Sequence, residues 1–221
     1  MYILLVAATK REIQPALNFL QKHDFRFAGN DIDVLITGVG GISTTYLLMD
    51  EIKDHRPDYL LQAGIAGSFS ENAPPGSLIF INEEVLGDMG VEEKEEWIDF
   101  FDLGLHEANN GPFKGKSLVN PYCKDWSNQG IPFGRGVTIN EITTRPLRIQ
   151  QLKQKYAPVI ESMEGAAFHY TGIMESIPFM QVRAISNYIG ERDKTKWEMH
   201  EAIDTLNIQL VEFLHTKWPL A

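Results

Sequence analysis

Cysteine is almost absent from this chain: Cys123 is the only one among 221 residues. A lone cysteine excludes an internal disulfide framework, and no Cys/His cluster with metal-ligand spacing stands elsewhere in the sequence. Such sparse usage fits a reducing compartment. Positive charge is also scarce. Twenty Lys and Arg face 30 Asp and Glu, for a formal net charge of −10. A field of that sign repels polyanions and disfavours nucleic acid and anionic membrane as partners, although local donors can still hold a small anion. Long apolar runs are missing too. Met1–Ala8 is apolar but short, with no basic stretch ahead of it and with Lys10 and Arg11 behind it. A signal peptide has the reverse order, and a membrane span needs about 20 apolar residues. The segment reads as a buried strand, and a cytoplasmic location is expected.

What is present is ordinary globular composition, 43% hydrophobic and 23% charged. The length suits one domain over residues 1–221. Short apolar runs alternate with segments of helical period, the pattern of an α/β fold whose strands are covered by helices on both faces. The first strand ends near Ala8. Thr9 and Glu12 form a T-x-x-E capping box ahead of a helix whose inner face carries Ile13, Ala16, Leu17 and Leu20. Strands are expected at 33–37, 58–62, 77–81, 135–139, 159–163 and 179–186. Helices are expected after Gly38-Val-Gly-Gly41, with Ile42, Thr45, Leu48, Met49 and Ile52 inward, and at 146–156, 165–175 and 193–215. Trp197 and Leu206 belong to the inner face of the last helix. From 87 to about 130 the periodicity fails, which reads as an irregular loop, either a lid or a solvated excursion.

Ligands of open α/β sheets collect at the carboxyl ends of strands. The polar residues and glycine turns at those ends are Glu12, Gly38–Gly41, Gly64–Ser68, Met163-Glu164 and Ser186-Asn187. Gly38-Val-Gly-Gly41 has Ser43 where a dinucleotide fingerprint needs its last glycine, and it follows the second strand rather than the first, so a dinucleotide is not expected. Each candidate also has a purely structural explanation. Glu12 can cap its own helix, Glu164 can favour a helix dipole, Asn187 can be a turn residue, and His169 is expected to face a helix neighbour.

Taken together these segments resemble the nucleoside phosphorylase and nucleosidase superfamily along almost the whole chain. The resemblance rests on Glu12, Thr37-Gly-Val-Gly-Gly41, Pro57–Gly67, Glu161-Ser-Met-Glu-Gly-Ala166 and Val182-Arg-Ala-Ile-Ser-Asn187, in this order and spacing. Within the superfamily the chain is most similar to the futalosine hydrolases, through Ser162–His169, Arg183–Asp193 and Phe101–Leu105. The resemblance implies a single-domain three-layer sandwich with a central mixed, mostly parallel sheet flanked by helices.

It also implies roles. Glu12 would activate a water as general base, and Glu164 would hold ribose hydroxyls beside an oxocarbenium-like cation. Met163 would pack against the sugar. Gly67, Ile142, Thr143 and Ser186 would complete the binding wall, with the backbone around Ile142 and Thr143 as a second place to read the base. Adenine-specific members carry aspartate where this chain has Asn187. An amide offers NH2 to O6 and its carbonyl to a protonated N7, so the expected base is a 6-oxopurine, hypoxanthine. Asp193 or a water remains open as the proton donor to N7. Hydrolysis is expected over phosphorolysis, because Gly67-Ser-Phe-Ser-Glu71 has no arginine, while Arg11 keeps the second route open. Trp97, Phe100 and Phe101 are candidates for an apolar wall around the 5′ group. The expected partner is a small purine nucleoside, with a homodimer or larger homo-oligomer and no metal or organic cofactor.

Overall fold

A computed structural model of the protein describes residues 1–215. In chain order its first half runs β1 (Tyr2–Ala7), α1 (Gln14–Lys22), β2 (Arg26–Phe27), β3 (Asn30–Ile36), α2 (Gly41–Asp54), β4 (Tyr59–Ser68), β5 (Leu78–Leu86), β6 (Gly90–Glu93) and β7 (Glu96–Asp99). The second half runs β8 (Leu118–Val119), β9 (Phe133–Thr138), α3 (Pro146–Tyr156), β10 (Ile160–Ser162), α4 (Gly165–Met174), β11 (Phe179–Tyr188) and α5 (Met199–His215).

The central sheet is mixed, in the order β10-β9-β5-β11-β4-β1-β3-β2, with β8 added to β5. Parallel pairings join β3, β1, β4 and β11, and also β5, β9 and β10, while β5 lies antiparallel to β11. β10 also pairs antiparallel with the far end of β4, Ile160 with Ser68 and Glu161 with Gly67. That extra pairing closes β4, β10, β9, β5 and β11 into a ring.

β1 shows how the layers are built. Its residues alternate between faces, as a pleated strand must. Ile3, Leu5 and Ala7 meet Ala16 and Leu20 of α1 and Leu206 and Leu210 of α5, while Leu4 and Val6 meet Leu48 and Ile52 of α2 and Phe168 of α4. Both faces are therefore dry, and each fully buried Leu or Phe contributes about 1.5–3 kcal/mol.

Several elements depart from expectation. β4 and β11 run to Ser68 and Tyr188, because each is flanked by partner strands over its whole length and the extra residues still find ladder bonds. The 87–130 stretch holds the β6–β7 hairpin, β8 and a 3-10 turn at Cys123–Gln129, so it is less irregular than its composition implied. The closing helix begins at Met199; Lys194–Lys196 forms a separate 3-10 turn capped by Asp193. On α2 the buried residues are Thr44, Leu48 and Ile52, whereas Ile42 is 88% exposed and Thr45 is exposed. Periodicity located that helix but set the start of its inner face about one residue out of phase.

Candidate active site

The carboxyl ends of β1, β4, β10 and β11 meet around a cavity of about 330 Å³. Glu12, Gly67, Met163, Glu164, Ser186 and Asn187 line it, together with Ile142 and Thr143 from the loop after β9. All eight residues singled out in the sequence thus face one space, from segments that lie up to 175 positions apart.

Glu12 is buried and held at both oxygens. Oε2 accepts from the Thr9 amide at 2.9 Å and the Thr9 hydroxyl at 2.8 Å, and Oε1 accepts from the Ile65 amide at 3.1 Å. The capping-box contact therefore forms, yet helix α1 starts only at Gln14, so these bonds orient a carboxylate rather than close a helix end. A carboxylate has about four lone-pair sites, and three donors leave one for a further partner. The backbone of Glu12 is fixed from α5, where the buried Asn207 donates to the Glu12 carbonyl at 2.8 Å and accepts from the Ala16 amide at 3.0 Å.

Glu164 sits immediately before α4. Its Oε1 accepts from the Gly40 amide at 3.0 Å, which explains the glycine turn after β3 as a donor to the site. Its Oε2 lies 3.6 Å from Nη1 of Arg183, and both side chains are almost wholly buried. Arg183 was not among the expected site residues. Its Nη2 donates to Gln62 at 3.1 Å, and Gln62 on β4 is itself buried. The sequence does carry a signal for this pair, since Gln62 and Arg183 interrupt otherwise apolar strands and a charged residue is almost never fully buried unless paired.

Gly64 makes room for the arrangement. A Cβ there would stand 2.5 Å from Arg183 Nη1 and 3.0 Å from Glu12 Oε1, so the two charged groups share the space above a residue without a side chain. Gly67 is similarly crowded, with Ile189 Cδ1 2.3 Å from where its Cβ would be and Asn187 Nδ2 at 3.6 Å.

Asn187 follows an irregularity in the β11–β4 register. Its Oδ1 accepts from the Ser186 hydroxyl at 2.8 Å and its Nδ2 donates to the Tyr188 carbonyl at 2.9 Å. These two partners set which way the amide points, with one N–H and one lone pair left over. Glu161, also on the cavity wall, is another residue the sequence reading did not assign a role. Its Oε1 accepts from the Thr143 amide at 3.1 Å, and burial raises its carboxyl above the ordinary value.

Two other expectations, the aromatic wall and Asp193, find no place at the cavity. Trp97 packs under Arg148 and bonds Tyr156, while Phe100 and Phe101 join a cluster with Phe113. Trp197, Met199 and Ile203 are among the residues that line the cavity. Asp193 caps the Lys194–Lys196 turn, exposed to solvent. His169 is fully buried, faces the Leu118 carbonyl of β8 at 3.1 Å rather than a helix neighbour, and is pushed down to about 3 by burial, so it stays neutral. Among the described residues no group of three His, Cys, Asp or Glu side chains is placed to hold a metal, and no helix is long and apolar enough to cross a membrane.

The chain has relatives among known proteins. The chain is 29% identical over 180 residues to the futalosine hydrolase of Streptomyces coelicolor, covering 79% of this chain and 74% of that protein. It is 26% identical over 212 residues to the futalosine hydrolase of Thermus thermophilus, covering 92% and 91%. The same identity over 212 residues links it to the 5′-methylthioadenosine/S-adenosylhomocysteine nucleosidase of Maridesulfovibrio salexigens, covering 86% and 87%. The Campylobacter jejuni nucleosidase of that second type shares the fold with a TM-score of 0.76 at 18% identity, over 97% of both chains. A Helicobacter pylori futalosine hydrolase mutant does so with the same score and identity, over 96% of this chain and 99% of its own. Residues 21–215 match the sequence model of the phosphorylase superfamily, and the chain belongs to that family.

Proposed function

We propose that this protein hydrolyses the N-glycosidic bond of a 6-oxopurine nucleoside, with futalosine as the substrate and hypoxanthine and dehypoxanthine futalosine as the products, a step of menaquinone biosynthesis. The observation that carries this reading is the amide of Asn187 on the same cavity wall as two oriented carboxylates, Glu12 and Glu164.

Cleavage of the C1′–N9 bond passes through an oxocarbenium-like sugar. Glu12, with one lone-pair site unfilled, orients a water and takes its proton as the water adds to C1′. Glu164 accepts from ribose hydroxyls and sets negative charge near the developing cation. The guanidinium of Arg183 stands 3.6 Å from Oε2 and holds the Glu164 side chain in place. Met163 packs its thioether against the sugar. At the base, a water protonates N7 as the C1′–N9 bond breaks, the remaining N–H of Asn187 donates to O6, and its remaining lone pair accepts from the protonated N7. Aspartate at this position would put like polarity against O6.

Two rival readings have specific support. Identity to the nucleosidase of M. salexigens equals that to the Thermus hydrolase, so an adenine nucleoside is the first rival. Arg11 lines the cavity and offers the cation that a phosphorolytic reaction would need. One assay separates all three: futalosine, inosine and methylthioadenosine, with and without phosphate, with quantification of the base released. Hypoxanthine from futalosine without phosphate is the expected result. Adenine from methylthioadenosine overturns the reading of Asn187, release only with phosphate makes the enzyme a phosphorylase, and no base at all leaves a nucleoside-binding protein.

The chain functions as one domain in a homodimer or larger homo-oligomer in the cytoplasm. The assembly is supported by the exposed apolar residues Val39, Ile42 and Tyr46 at the start of α2, since Val39 also lines the cavity. Sedimentation of the wild type against Ile42→Glu tests it, and a monomer in both overturns it.

A further inference from the structure

Glu84 is a wholly buried acid on β5 that none of the roles above uses. Its carboxyl fits against two glycines, Gly136 of β9 and Gly165, the residue that follows Glu164 and opens α4; a Cβ at either would strike it. The Thr138 hydroxyl donates to Oε2 of Glu84 at 2.9 Å and accepts from the Ala166 amide of α4 at 2.7 Å. Glu84 is thus tied to the first turn of the helix that presents Glu164.

On the other side, Gln181 of β11 donates Nε2 to Oε1 of Glu84 at 3.0 Å. With the amide that way round, two buried atoms have no partner, Gln181 Oε1 and His169 Nε2, although the amide lies within reach of the imidazole. Buried polar atoms are rarely left so. The ring of His169 shows what is missing. Its Nδ1 faces the Leu118 carbonyl at 3.1 Å, and a carbonyl can only accept, so Nδ1 carries the hydrogen. Burial keeps the ring neutral, which makes Nε2 a bare acceptor beside the amide oxygen. One proton on Glu84 removes the conflict. Half a turn of the amide then lets Glu84 Oε1–H donate to Gln181 Oε1, and Gln181 Nε2 donate to His169 Nε2. Both orphaned atoms gain partners, and Thr138 keeps its bond to Oε2.

The charged groups that act on Glu84 are Arg183 from β11 and Glu164 from the start of α4. From the other elements come the neutral His169 of α4, Thr138 of β9 and Leu118 of β8, while Glu83, next to it on β5, is paired with Arg135 of β9 at 2.9 Å. Arg183 lies 3.6 Å from Glu164, and an ionised Glu84 would draw the same guanidinium and repel Glu164. We propose that Glu84 is a positioning residue for Glu164: it carries a proton, gives it to the line of Gln181 and His169, and so leaves Arg183 to Glu164. Burial supports the assignment by pushing the Glu84 carboxyl up to about 7. Loss of the proton above that value sets a second carboxylate against Arg183 and loosens the group that holds ribose. The role deepens the reading of Glu164 as the ribose ligand and rests on it.

The test follows the full chain, wild type and Glu84→Gln, from about pH 6 to about pH 9. The glutamine is uncharged, with an acceptor for Thr138 and a donor for Gln181, so it stands in for the protonated acid at every pH. KM for futalosine is expected to rise about three- to tenfold over this range in the wild type, with kcat changing less, and to stay flat in Glu84→Gln. A carboxylic acid band in the infrared spectrum of the wild type, fading over the same range and absent from the variant, reports the proton itself. The ring 15N signals of His169 are expected to show the Nδ1–H tautomer. If Glu84 only ties strands together, both proteins share one KM profile, which overturns the positioning role. Absence of the acid band, or an Nε2–H tautomer, overturns the proton line. No turnover by the wild type, with band and tautomer as expected, overturns the nucleosidase reading and the role toward ribose, and leaves the proton line standing.

Discussion

Nη1 of Arg183 lies 3.6 Å from Oε2 of Glu164, and neither side chain is more than 6% exposed. A buried guanidinium under the cavity ties the ribose-side carboxylate to the middle of the sheet. Removing one partner of such a pair strands the other charge in a low dielectric. Arg183→Met is therefore expected to cost about 3–5 kcal/mol of folding stability, read from denaturant midpoints, and to raise KM more than a surface substitution of equal stability does. A variant as stable as the wild type would mean that Glu164 does not depend on this arginine.

Glu12→Gln keeps the size and one of the two acceptor oxygens, the one toward Thr9 or the one toward Ile65, and removes the base. Turnover is expected to fall by about 10²–10⁴, with substrate affinity little changed, measured by single-turnover kinetics beside equilibrium binding. Unaltered turnover would leave Glu12 as a tie between the Thr9 turn and β4.

Asn187→Asp replaces a donor with an acceptor at O6. The ratio of kcat/KM for 6-oxopurine over adenine nucleosides is expected to drop about tenfold or more, read from parallel assays on one enzyme preparation. An unchanged ratio would place recognition of the base elsewhere on the wall, at Ile142 and Thr143.

Glu84 on β5 is fully buried, where it accepts from Thr138 at 2.9 Å and from Gln181 at 3.0 Å. Burial pushes its carboxyl up to about 7 from 4.5, against the opposing influence of Arg183 and these two donors, and Glu164 adds to the rise. The folded chain therefore holds this proton more tightly than the unfolded chain. The contribution to stability is complete below about 4.5 and is lost as pH rises through about 7. Glu84→Gln lacks this loss. Its stability, read from melting curves, is expected to gain on that of the wild type across this window by an amount on the order of 3 kcal/mol. Parallel melting curves for the two proteins would show that Glu84 titrates normally.

Much of the fold was legible in the sequence because the signals were local. The helix at Pro146–Tyr156 carries proline at its first turn, and its observed limits coincide with those expected. The apolar runs at the ends of β1, β4 and β11 put glycines and polar residues where the chain leaves the sheet, and the candidate site followed from the rule that strand ends gather ligands. Boundaries failed where neighbours decided them. Ser186 and Asn187 stay in β11 because β4 continues beside them, and no property of the two residues announces that.

The same distinction holds within the site. Glu12, Glu164 and Asn187 stood out because each is polar at the end of an apolar run. Arg183, Asn207 and Glu161 did not, because their importance lies in what they touch: a carboxylate, a backbone carbonyl and a backbone amide. The expected wall of Trp97, Phe100 and Phe101 went the other way, since aromatic content marks burial without naming the cavity.

The sequence by itself determined the alternation of strands and helices, the acidic net charge, and a short set of polar residues at strand ends, since periodicity and local turn chemistry act over a few residues. Only the tertiary structure decided that β10 pairs with β4 as well as β9, which brings Glu161, Gly67 and Asn187 abreast across three strands. It also decided that Arg183 and Glu12 share the space above Gly64. Charge pairing and hydrogen-bond satisfaction are set by distance in space, and residues 171 positions apart acquire that distance only when the sheet closes.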